Sequence, residues 1–120
     1  MSEPSLQMIF GNNVSQSENI LTISKADLAT VGLTPSMNNS PESLFVAILL
    51  LARKTLTTTR QTDNPEQSLT IEDSITGDTL ITRNNQTYRQ KSYTVNLQKL
   101  DTNTIVDPDD YGTNSTSPIT

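Results

Sequence analysis

"SPESLFVAILLLARKT", Ser40 to Thr55, decides how this chain of 120 residues is built. Ser40 suits a helix N-cap and Pro41 the first helical position. Glu42 complements the positive end of the helix dipole, and Arg53 and Lys54 complement the negative end. The pattern predicts a helix from 41 to about 56. Around its wheel Leu44, Ala47, Ile48 and Leu51 form one stripe, while Phe45, Val46, Leu49, Leu50 and Ala52 cover the rest of the circumference. A helix that is apolar on every side has to be buried. A small sheet covers only one side of it, and soluble monomers rarely leave large apolar patches in water. Two coverings are open. Either the sheet curls round and the N-terminal segment, with Met8, Ile9 and Phe10, closes the far side, or the helix lies in a subunit interface.

Upstream, Ile20, Leu21 and Ile23 read as a short strand. Ser24 and Asp27 then have the spacing of a capping box, predicting a short helix from 25 to 31. Gly32 takes the left-handed stop, Leu33 supplies the apolar contact and Pro35 forbids continuation. Downstream, "TLTTTRQTDNPEQ" reads as a polar connector with a turn at Asp63 to Pro65. The period then changes to alternation: strands are expected at 68–73, 79–83 and 87–100, with turns at Gly77-Asp78 and at "RNNQ". In the last strand Tyr93, Val95 and Leu97 point to the core. The expected fold class is α+β: an antiparallel meander of about four strands packed on one apolar helix, plus the short helix and extended polar termini. The division that follows is residues 1–18 as an N-terminal arm, 19–101 as a single α+β domain and 102–120 as a C-terminal extended tail.

Composition narrows the function. Hydrophobic residues are 32% of the chain, under the roughly 45–50% of ordinary globular proteins, so the core is lean. Thr, Ser, Asn and Gln supply 50 of the 120 residues, making a surface of neutral hydrogen-bonding groups. Net charge is -5 with the basic residues scattered, which disfavours nucleic acid and anionic lipid as partners. The apolar run at 44–52 falls well short of the about 20 residues of a membrane span. The N-terminal "MSEPSLQMIFGNN" lacks the basic region and long apolar run of a secretory signal, so secretion by a signal peptide is not expected.

The chain contains no His and no Cys. The commonest general base, the Ser-His-acid triad, thiolate catalysis and cysteine metal sites are therefore excluded. Glu72 and Asp73 are adjacent on a strand and point to opposite faces, a poor arrangement for paired acid and base work. "DPDDYG" places Asp107, Asp109 and Gly112 at three positions of an EF-hand loop, but Tyr111 and Pro118 stand where two further ligands belong. Tyr88, Arg89, Lys91 and Tyr93 interleave aromatic and basic groups as single-strand-binding platforms do, yet Tyr88 falls on the opposite face, and cross-strand packing is the simpler role. Sequons at Asn13, Asn38, Asn85 and Asn114 follow from the abundance of Asn, Ser and Thr. No catalytic residue, cofactor or metal is expected.

Small, acidic, Thr- and Asn-rich chains without Cys or His, with a lone apolar helix and extended polar ends, look like components of tailed-phage particles or similar injection machines. That resemblance implies a non-enzymatic structural protein of a larger multi-subunit particle, such as a capsid decoration or tail component, working through self-association and chain-arm contacts. The interface expected for it comprises Leu44, Phe45, Val46, Ile48, Leu49 and Leu50 of the helix, Met8, Ile9 and Phe10 of the arm, and Ile105 and Tyr111 of the tail. The alternative is a small protein-binding adaptor or inhibitor module.

Overall fold

A computed structural model of the chain describes residues 3–75, 77–101 and 103–112. The predicted long helix is present as α3, Pro41–Thr55. Ser40 Oγ accepts the Ser43 N–H at 3.0 Å, and Pro41 opens the first turn as its fixed φ favours. Ala47, Leu51 and Ala52 are its buried residues, and two separate cores form along it.

The first core lies on the N-terminal half of α3. A preceding helix α2, Lys25–Leu28, runs into a 3-10 turn at Ala29–Val31. Leu28 packs there with Ala47 and Leu51, and Ile23, Val31, Leu33, Leu44 and Ile48 close round them. Burying Leu28 and Leu51 contributes about 2 kcal/mol each. Gly32 ends the turn in the left-handed region, at φ 109°, and the Leu33 N–H returns to Leu28 O, as the Gly-Leu-x-Pro spelling predicts. The capping box does not form. Ser24 accepts from Ala26 N–H, but Asp27 turns away to receive the backbone and side-chain N–H groups of Asn13.

The second core lies on the C-terminal half. Ala52, Leu56 and Ile71 are its buried members, ringed by Ile9, Leu49, Leu69 and Tyr93. Ile9 comes from a short helix α1, Leu6–Phe10, which packs along α3 and is tied to it where Thr55 Oγ1 donates to Met8 O. Between α1 and α2 a small hairpin pairs β1, Ser15–Gln16, with β2, Leu21–Thr22.

The connector after α3 is not irregular. Thr57 caps a further helix, α4, Thr58–Asp63, whose residues have indifferent propensity. Gln67, only 2% exposed, supplies the tertiary reason. Its Oε1 accepts from Arg60, and its Nε2 donates to the carbonyls of Thr57 and Leu69. A buried amide with all of these bonds made stabilises the bend it spans.

The remaining strands are β3, Leu69–Asp73; β4, Thr79–Arg83; β5, Gln86–Gln90; and β6, Tyr93–Leu97. The fold is α+β with small antiparallel sheets, but the strands do not follow one another in a meander. β3 pairs with β6 and β4 with β5, so two ladders lie end to end in one nested ribbon. Asn84 and Asn85 turn its tip with φ 52° and 62°, the geometry of a type I′ turn. Residues 87–100 do not make a single strand. Lys91 and Ser92 interrupt it between the two ladders, although the Ser74 N–H still donates to Ser92 O.

After β6, the Gln98 N–H extends the pairing to Ser68 O, and the chain passes through a 3-10 turn at Pro108–Asp110. Lys99 fastens this stretch, donating to Asn103 Oδ1, Ile105 O and Asp110 Oδ2.

Candidate interaction surfaces

The helix α3 is sheltered unevenly. Leu44 and Ile48 belong to the first core and Leu49 to the second, while Leu50 is half-buried. Phe45 and Val46 are not covered: they are 68% and 51% exposed. The residues expected at an interface therefore divide. The stripe of Leu44, Ala47, Ile48 and Leu51 is used within the chain, by α2 rather than by the sheet, and the side carrying Phe45 and Val46 faces outward.

The arm and tail residues expected with them fall elsewhere. Ile9, Phe10 and Tyr111 come together with Leu56, Gln67 and Leu69 around a cleft of ≈ 240 Å³. Gly112 N–H donates to Ser68 Oγ at its rim. The amide of Gln67 is fully engaged with Arg60, Thr57 and Leu69, so the cleft offers mainly apolar surface. Met8 is exposed, and its Sδ receives the Ser5 N–H. Ile105 is exposed on the turn that Lys99 holds.

A charged cluster marks the joint between the two ladders. Arg53, from the last turn of α3, donates to Asp73 at 2.6 Å and lies 5.0 Å from the centre of the Tyr93 ring. Lys91 approaches the other side of the joint, 3.8 Å from Asp73, 3.7 Å from Asp78 and 5.4 Å from the Tyr93 ring. The aromatic and basic residues of this strand thus engage their own chain, as cross-strand packing requires. Glu72 faces the opposite side and accepts from Asn96. The acidic turn is likewise internally engaged: Asp107 Oδ1 accepts the Asp109 N–H, and Asp110 pairs with Lys99. Pro118 of the EF-hand comparison and the sequon at Asn114 lie outside the described residues.

The distal ladder is the most open part of the chain. Every residue of β4 and β5 is exposed except Tyr88, which is half-buried beneath Arg83. Leu80, Thr82, Thr87 and Arg89 share one face, and Ile81, Arg83, Gln86 and Tyr88 share the other. This openness was not legible in the alternation, which reads the same for a half-buried strand as for one exposed on both sides.

Among the described residues no three acidic side chains converge closely enough to hold a metal ion, and no helix is long and apolar enough to cross a membrane. A scan against protein-family models and searches of the curated proteins and of the solved structures found no match to this chain.

Proposed function

We propose that the chain is a non-enzymatic structural protein of a larger multi-subunit particle, a capsid decoration or tail component, working through self-association and chain-arm contacts. The observation that carries this reading is the uncovered side of α3, where Phe45 and Val46 stand in water on a helix otherwise committed to two cores. An exposed aromatic group with apolar surface beside it on a rigid helix is the material of interface cores. The phage setting rests on composition: a lean core, no His or Cys, and a surface rich in Thr, Ser, Asn and Gln.

Light scattering of the purified chain tests the self-association. Wild type at high micromolar concentration has a mass of two or more chains, and Phe45→Asp lowers it toward one chain with the circular dichroism unchanged, since this side chain supports neither core. A monomeric wild type overturns the self-association. The exposed ribbon favours a second reading, an adaptor or inhibitor module, which a one-to-one complex with a co-purifying protein would support.

A further inference from the structure

We infer that the β4–β5 ribbon of one copy docks against the 103–110 turn of a second copy. This rests on the self-association proposed above and names the surfaces that make it directional.

The ribbon is a two-stranded hairpin with neither face covered, and such hairpins are at best marginally stable alone in water. Leu80 and Ile81 stand exposed on its two faces. Its charge is opposite to that of the rest of the chain. Residues 79–91 hold Arg83, Arg89 and Lys91, three of the eight basic residues, and none of the thirteen acids. Elsewhere five basic residues face thirteen acids. Asp78 draws Arg89 and Lys91 at 3.9 and 3.7 Å, and Asp73 draws Lys91 at 3.8 Å, all through exposed groups that water screens.

That charge also selects how two copies meet. Pairing ribbon with ribbon would bring together two segments that each carry Arg83, Arg89 and Lys91 and no acid, an arrangement that like charges oppose. Each face sets an apolar residue beside an arginine, Leu80 with Arg89 on one and Ile81 with Arg83 on the other, so the ribbon is complementary to a surface both acidic and apolar. The 103–110 turn has that chemistry: Ile105 and Val106 are 68% and 65% exposed beside the exposed carboxylates of Asp107 and Asp109. It is also preorganised, because Lys99 clamps it at Asn103, Ile105 and Asp110. A donor surface and a different acceptor surface on each copy make a heterologous contact, which closes into a ring or continues as a filament.

The test uses the full chain, its mass followed by light scattering and sedimentation at about 50 mM and about 500 mM salt, where screening separates charged from apolar association. Assembly is expected to weaken about tenfold at the higher salt and about tenfold in Arg83→Glu/Arg89→Glu, and to weaken similarly in Asp107→Lys/Asp109→Lys. Combining the two pairs, which restores opposite charge, is expected to recover assembly to within about threefold of wild type. Arg83→Gln/Arg89→Gln, which removes charge without adding acids, gives an intermediate loss and serves if a reversal unfolds the ribbon. A monomeric wild type overturns both this inference and the self-association. An assembling wild type that Phe45→Asp dissociates, but that ribbon reversal leaves intact, overturns this inference alone. So does a fluorescent single-stranded oligonucleotide that binds the ribbon and is lost in Arg83→Glu/Arg89→Glu while the mass stays unchanged.

Discussion

Asp27 grips Asn13 twice, accepting its backbone N–H at 2.9 Å and its side-chain amide at 3.1 Å. The grip fastens the first residues of the chain onto α2, and it presses the Asp27 side chain against the backbone of Gly11.

Gly11→Ala is expected to be severe. Gly11 has φ 105°, and a methyl group there would lie 2.4 Å from Asp27 Cβ. Backbone strain and steric displacement together should remove about 3 kcal/mol or more of stability in urea unfolding. Gly32 is the control: its φ is 109°, but nothing lies within 4 Å of a Cβ built on it. Gly32→Ala should therefore cost only about 1–2 kcal/mol, the left-handed penalty alone.

Gln67→Leu fills the same space without its amide. Arg60 Nη1 and the carbonyls of Thr57 and Leu69 would each lose a partner in a site that water barely reaches. The expected loss is about 2–4 kcal/mol by chemical denaturation, with α4 losing its hydrogen-exchange protection first.

Lys99→Met keeps the length of the side chain and removes its three bonds to Asn103, Ile105 and Asp110. Lys99 and Asp110 are only 12% and 15% exposed, so water replaces the lost partner poorly. A destabilisation of about 2 kcal/mol is expected, together with faster exchange of the Ile105 amide, which itself donates to Asn103 Oδ1.

Arg53→Lys should be mild by comparison. Arg53 and Asp73 are 35% and 53% exposed, and Lys91 stands ready near the same carboxylate. Stability should change by less than about 1 kcal/mol, while the near-ultraviolet dichroism of Tyr93 should respond to loss of the planar group above its ring.

Much of the fold was legible because local grammar and tertiary packing agree over Ser40 to Thr55 and again from Ser24 to Leu33. In both places cap, dipole charges or glycine stop lie within a few residues of what they act on. Asp27 was misread because its partner is Asn13, fourteen positions away, and a capping box has the same spelling whether or not the acid turns back. The helix α4 was hidden because its three Thr residues and Asp63 carry little helical preference; Gln67, reaching back across the bend, holds it. The pairing of β3 with β6 escaped for another reason. Alternation lapses over Arg89 to Ser92, four polar residues that leave Tyr93 out of phase with Tyr88, but a lapse of this kind does not say which strands pair. Of the surfaces, the excess of apolar residues on α3 was plain, but that α2 would cover Leu44 and Ile48 and leave Phe45 and Val46 bare depended on packing that no periodicity records.

The break between the two ladders, beyond Asp73 on one side and at Lys91 and Ser92 on the other, makes the outer hairpin a separable cassette. The pairing of Asp73 with Tyr93 completes the inner ladder before the break begins, so trimming, lengthening or exchanging the tip leaves Ile71 seated on Leu56. Reach and stickiness of the outer hairpin can thus diverge among descendants of this chain while the two cores along its long helix stay the same.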